Sequence, residues 1–206
     1  MKSFFSSSDE NLKWTTLSVK ELLKTFIYTV TEKTQQAFNG QTGKFYVINS
    51  NDWVIVIPRQ NGKLLMVKQW RHGENSLSIE FPGGVIDNGE TPEQAAAREL
   101  LEETGCKALK FTKLGSCNPN PALFSNHIHV FLAEQLIQTG EQHLDHDEFI
   151  NLLELPEEQL LDCIHRPEFS HALMGTARFF RQPLCNFANK LELSSSLTNT
   201  FNIFTK

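Results

Sequence analysis

Between Gly84 and Cys106 the chain reads GVIDNGETPEQAAARELLEETGC, and this stretch decides the fold. Thr91 can cap a helix, Pro92 suits its first position, and Gln94 completes a capping-box spacing. Gly105 stands where a left-handed C-terminal residue is wanted, so a helix is predicted from Pro92 to about Thr104. On that helix Glu99, Glu102 and Glu103 occupy positions i, i+3 and i+4. Their carboxylates therefore converge within roughly one third of the circumference. Ala97 and Leu101 fall on the other side and are expected to pack on a sheet, while Ala95 and Ala96 leave room on the glutamate side. Three like charges on one face repel, each close pair costing about 0.2–0.5 kcal/mol on an exposed helix. A positive partner is called for. Oxygen donors without His or Cys suit Mg2+, with Mn2+ as the second candidate, and Mg2+ shared between carboxylates and water usually completes its shell with phosphate.

Outward from this helix, alternating apolar and polar residues predict strands on both sides. Trp53–Ile57 and Leu64–Trp70 are joined through Gln60-Asn61-Gly62, a hairpin signal. A short strand is expected near Leu77–Phe81, and others at Phe111–Gly115, His127–Ala133 and Phe149–Leu153. Before Trp53, Phe26–Thr31 and Lys44–Ile48 flank a turn-rich stretch. Helical patterns run from Pro156 to Ile164 and from Ser170 to Phe180. Strands, one central helix, more strands and terminal helices argue for an α+β fold rather than a doubly wound sheet. Neither G-x-G-x-x-G nor G-x-x-x-x-G-K-[ST] occurs, so dinucleotide and P-loop readings lack support.

The 206 residues, 40% of them hydrophobic, suffice to bury a core without disulfide or metal staples. A net charge of -5 excludes a broad basic footprint for nucleic acid. No stretch approaches the ~20 apolar residues of a membrane span, and the start lacks a signal-peptide core, so no membrane partner and a cytoplasmic location are expected. Cys106, Cys117, Cys163 and Cys185 show no C-x-x-C spacing and read as reduced thiols. Three segments are expected: a strand-rich subdomain over residues 1–50, a main domain over 51–185, and a polar tail over 186–206.

Gly84, Glu90, Arg98-Glu99-Leu100, Glu102-Glu103 and Gly105 stand at the spacing of the Nudix box, so the chain resembles the Nudix hydrolases. Cys106 departs, taking a place usually held by an aliphatic residue. The resemblance implies an α/β/α sandwich with a mixed sheet, and hydrolysis of a nucleoside diphosphate linked to another group, using a divalent metal. By position it assigns Glu99 and Glu103 as the main metal ligands, Glu102 as an assisting one, and the Gly84 carbonyl as completing the shell. Glu90 and Arg98 would tie the box loop to its helix.

The flanks look like the ADP-ribose and nucleoside-diphosphate-sugar pyrophosphatases, in which a proline follows the box; here Pro121 stands fifteen residues after Cys106. That subfamily often has Pro-Ala-Gly where this chain has Pro82-Gly83-Gly84. The likeness implies Arg71 as a phosphate clamp, Glu80 at the metal and substrate edge, Tyr46 against the base, and Glu148, on a mobile late loop, as a catalytic base or a further metal ligand. Phe45 is a further aromatic candidate. It also implies a homodimer built through residues 1–50. The products would be a nucleoside monophosphate and a sugar phosphate, with ADP-ribose the leading substrate. The alternatives are hydrolysis of nucleoside triphosphates or dinucleoside polyphosphates, and a nucleotide-sugar sensor without turnover.

Overall fold

A computed structural model describes residues 4–177 and Phe180. The expected tail over 186–206 lies outside them, as do Arg178 and Phe179 of the helix expected to reach Phe180. These residues form two compact units, one of residues up to Trp53 with Cys117–Ile128, the other of Val54–Ser116 with the chain from His129 onward. Among the described residues no helix is long and apolar enough to cross a membrane.

The first unit is a three-stranded antiparallel sheet of β1 (Trp14–Lys24), β2 (Thr29–Ala37) and β3 (Thr42–Asn49), in that order. The sequence pattern marks only parts of the second and third strands, and the polar residues before Trp14 read as frayed. Ser7–Leu12 instead form a 3-10 turn, and β1 is an edge strand with all eleven residues exposed. Its one-sided partnering and two register shifts, between Thr16 and Ser18 and between Glu21 and Leu23, blur the alternation by which a strand is recognised. Loop 118–126 belongs to this unit, where Ile48 donates to the Leu123 carbonyl at 2.8 Å and its own carbonyl accepts from Ser125 at 3.1 Å.

The second unit is built on a six-stranded sheet with the path β6-β5-β4-β8-β7, and β9 also pairs with β5. The strands are β4 (Trp53–Gln60), β5 (Lys63–Arg71), β6 (Ser76–Glu80), β7 (Cys106–Cys117), β8 (Ile128–Gln138) and β9 (Asn151–Pro156). The β4–β5 hairpin turns at Asn61-Gly62, where both residues have positive φ, as a two-residue hairpin turn requires. Phe149 is exposed and β9 starts two residues after it, later than expected. After β9 a 3-10 turn (Glu157–Gln159) leads into α2 (Leu160–Cys163), and residues 172–177 are helical.

All of Val54–Ile57 in β4 is buried, so this strand is covered on both faces. On one face Val54 and Val56 pack with Phe131 and Ala133 of β8 and with Ile86, Ala95, Ala96 and Leu100. The last three lie on α1 (Pro92–Thr104), which Thr91 caps through its side chain and Gly105 closes at φ 68°. The helix thus turns its Ala95, Ala96, Glu99, Leu100 and Glu103 side inward, while Ala97 is exposed and Leu101 half-buried. This reverses the expected orientation. Two small alanines and Leu100 bring the helix close to the sheet, and the glutamates one turn on are carried into the interior with them. The architecture is the α+β arrangement expected, a mixed sheet with few helices.

Candidate active site

The loop between β6 and α1 runs along β4 as an additional strand-like segment. Val56 donates to the Pro82 carbonyl at 2.8 Å and Val54 to the Gly84 carbonyl at 2.9 Å. Two glycines make this docking possible. A Cβ on Gly83 would collide with the Val54 carbonyl oxygen, and one on Gly84 with the Glu99 carboxylate. The backbone at 83–84 is therefore pressed between β4 and the glutamate face of α1.

Glu103 is 2% exposed and Glu99 8% exposed. The Glu103 carboxylate accepts from the Gly83 N–H at 2.9 Å. Burial pushes its carboxyl up to about 9, against the help of that N–H and with the charges of Glu99 and Glu148 adding to the rise. Glu99 is pushed up to about 7 by burial, although Arg98 beside it pulls the other way. These are carboxyls that a neutral-pH protein leaves partly protonated unless a cation joins them.

Arg98 supplies much of the positive charge the sequence called for. Its Nε and Nη2 clasp Glu90 at 3.0 and 2.9 Å, its Nη1 donates to Glu99 at 2.8 Å and to Glu102 at 3.0 Å, and Nη2 also reaches the Val85 carbonyl at 2.9 Å. The Arg98 bond holds the Glu90 carboxyl below its usual range, and the Asp87 N–H adds to this at 3.2 Å. One guanidinium thus fastens the box loop to the helix and draws Glu102 toward itself. Among the described residues Glu103 is left with a single amide and no contacting cation. Among the described residues no three His, Cys, Asp or Glu side chains are gathered as a closed metal cluster, because Glu99 and Glu102 lean on Arg98.

Arg71 ends β5 and reaches back to Glu80 at the end of β6, donating from Nε at 2.8 Å and from Nη2 at 2.5 Å. Glu80 is 2% exposed, and burial alone would raise its carboxyl, but Arg71 brings it below the usual range. Two of the five guanidinium N–H groups serve Glu80, leaving three for another acceptor. Removing Arg71 would strand a buried carboxylate, a loss below the roughly 3–5 kcal/mol of a fully buried pair because the Arg71 side chain is 39% exposed. His171 places Nε2 4.0 Å from Glu80, and its Nδ1 accepts from the Leu173 N–H at 3.2 Å. No local sequence signal marks His171, because its partner lies on a strand far earlier in the chain. Glu148 sits in a turn closed by Asp145, and its charge acts on Glu99, Glu103 and Arg71 together. Tyr46 lies in the other unit, with its hydroxyl donating to Glu32 at 3.1 Å. Phe45, its neighbour on β3, points to the opposite face and packs edge-on against Trp14 at 5.1 Å.

The spacing and the geometry meet in one comparison: residues 50–172 match the model of the NUDIX domain. The chain belongs to the Nudix family. It is 36% identical over 132 residues to the ADP-ribose pyrophosphatase of Bacillus subtilis, covering 63% of this chain and 71% of that protein. It is 26% identical over 169 residues to the ADP compounds hydrolase NudE of Escherichia coli, covering 81% and 90%. A crystal structure of an ADP compounds hydrolase superposes with a TM-score of 0.78 at 25% identity, over 85% of this chain and 96% of that one.

The Nudix box of this chain fits a divalent cation. Its donors are all oxygen, the Glu99 charge adds to the rise of the Glu103 carboxyl, and the glycine backbone beside them leaves a carbonyl lone pair over after the β4 bond. Bare proximity of two buried carboxyls is unfavourable, and a cation between them reverses the sign of that interaction.

A pH dependence of stability follows. Both carboxyls sit above the value of 4.5 they hold in an unfolded chain, so between about pH 5 and pH 9 the folded protein binds more protons than the unfolded one. Each proton held in excess by the folded state lowers its stability by about 1.4 kcal/mol for every pH unit climbed. Without metal, stability should therefore fall steadily as pH rises across that window. Below it, loss of the depressed Glu80 and Glu90 pairs works the other way as pH falls through the carboxylate range. Denaturant melts in chelator at pH 5.5, 7 and 9 check this. Glu103→Gln should flatten the slope, and a metal-free protein equally stable at all three values would refute the assignment.

Proposed function

We propose that this chain hydrolyses the pyrophosphate bond of a nucleoside diphosphate sugar, with ADP-ribose the leading substrate and Mg2+ or Mn2+ as the metal. The observation that carries the reading is the pair of buried, up-shifted carboxylates on α1, facing backbone that two glycines hold against them. The relatives support the substrate class, since two of those similar over most of this chain are named for ADP-ribose and ADP compounds. Bound there, a divalent cation would neutralise the diphosphate and lower the pKa of its water.

In this reading Glu99 and Glu103 are the principal ligands, Glu102 assists once released from Arg98, and the Gly84 carbonyl contributes its remaining lone pair. Arg98 and Glu90 hold the loop in register. Arg71, oriented by Glu80, offers its remaining N–H groups to a phosphate oxygen. Glu148 acts as the base or as a further ligand to the metal. Tyr46 is assigned to the base of the nucleotide, a role in which it would give up its bond to Glu32.

Release of monophosphate from ADP-ribose, ADP-glucose, GDP-mannose, UDP-glucose, diadenosine polyphosphates and nucleoside triphosphates, with Mg2+, with Mn2+ and with chelator, tests the substrate. ADP-ribose should be turned over fastest, only with metal, and Glu103→Gln should lower kcat by about 100-fold or more. Turnover of triphosphates alone would overturn the substrate. Ligand binding without turnover in any metal would make the protein a sensor.

We further infer a homodimer assembled through residues 1–50. Supporting it, Trp14, Leu17, Val19, Leu22 and Leu23 are open to solvent along the β1 edge, an apolar row that single soluble chains rarely leave uncovered. Light scattering of the full chain should give twice the monomer mass, and deletion of residues 1–50 should reduce it. A full chain that is monomeric at all concentrations would refute the dimer.

A further inference from the structure

The last carbonyls of an α-helix have no partner within it, so their bonds show what the helix end is fastened to. In α1 the Leu101 carbonyl accepts from Gly105 at 2.8 Å, as an ordinary cap. Every partner beyond that comes from the segment after β8. The His143 N–H donates to Glu102 at 2.8 Å, and the Thr139 N–H and hydroxyl donate to Gly105 at 2.9 and 3.0 Å. The Glu103 carbonyl is met by a side chain, Gln142, whose Nε2 lies at 2.5 Å.

The same nitrogen also reaches the Ile150 carbonyl at 3.4 Å. Ile150 is buried and stands two residues beyond Glu148. A backbone amide has one hydrogen and can serve one strand of the loop; a carboxamide nitrogen has two. Gln142 therefore joins the end of the box helix, the outgoing leg of the loop and its returning leg at one point. Between those legs Glu148 closes a turn, donating its N–H to the Asp145 carbonyl at 3.0 Å and accepting from the Asp145 N–H at 3.3 Å. Residues 145–147 and 149 are exposed, so little else holds the turn in place.

We propose that Gln142 is a positioning residue, whose carboxamide fastens the 139–150 loop to the end of α1 and so sets where Glu148 stands relative to Glu99 and Glu103. This rests on the reading of Glu148 as a working group of the reaction. The bonds from Gln142 and from the His143 N–H end on the carbonyls of Glu103 and Glu102, so the loop is fastened to the residues that carry two of the box carboxylates.

A double-mutant cycle in the full-length protein tests it, with steady-state kinetics on the best substrate of the panel. Gln142→Met keeps the shape of the side chain and removes both N–H groups. It should lower kcat about tenfold, with KM changed less than about twofold, because a small misplacement of a catalytic group is felt in the chemical step. Glu148→Gln should lower kcat by about 100-fold or more. The double variant should be no slower than Glu148→Gln alone, since a residue acting only through Glu148 has nothing left to position. Should Gln142→Met fail to fold, Gln142→Asn keeps both donors, shortens the reach by one methylene, and should show the same non-additive loss. Wild-type kcat in the Gln142 variant, or losses that multiply in the double variant, would overturn the proposal. Wild-type kcat in Glu148→Gln would instead overturn the reading of Glu148, and the proposal with it.

Discussion

Two carboxylates carried into a protein interior on one helix face are the constraint around which the second unit is organised. Glu99 and Glu103 cannot be both buried and charged at neutral pH without compensation, and the surrounding structure supplies it only in part. Arg98 answers Glu99 from the same helix, and the Gly83 amide answers Glu103 from the docked loop. The remaining deficit of positive charge is what the proposed divalent cation would fill, where a closed ion-pair network would leave no such deficit.

That arrangement dictates its supports. The box loop must lie flat against β4 to present the Gly83 amide; a Cβ at Gly83 would strike the Val54 carbonyl, and one at Gly84 would displace the Glu99 carboxylate. The helix must approach the sheet closely, which Ala95 and Ala96 permit and Leu100 seals. A second carboxylate–guanidinium pair, Arg71 with Glu80, stands at the ends of β5 and β6 and keeps a charged arginine beside the cluster. Everything chemical in the second unit thus sits where strand ends, one helix and one late loop converge, while the sheet beneath supplies rigidity.

Much of this is legible in the residues because it is local. The α1 cap at Thr91, its stop at Gly105 and the Asn61-Gly62 hairpin are each written within a few positions, and the spacing from Gly84 to Gly105 points to the family. What the helix buries is not legible. Ala97 with Leu101 and Ala95 with Ala96 are equally plausible inner faces by hydrophobicity, and three glutamates argue against the true one unless their cation is assumed. Strand β1 leaves no readable pattern because its residues are all exposed and its pairing is interrupted. The Arg71–Glu80 pair, His171 and the Gln142 strap join positions remote in the chain, and no single-sequence pattern encodes such contacts. Tyr46 stands out by residue type alone, and its neighbour Phe45 lies on the other face of the same strand.

On this account Glu99 and Glu103 hold protons near neutrality which a divalent cation displaces. Calorimetric titration of the metal-free protein with Mn2+ at pH 6.5, in buffers of different ionisation enthalpy, counts those protons directly. With carboxyls at about 7 and about 9, binding should release between about one and two protons per protein, and Glu103→Gln should remove about one of them. Binding that releases no protons in the wild-type protein would contradict the account.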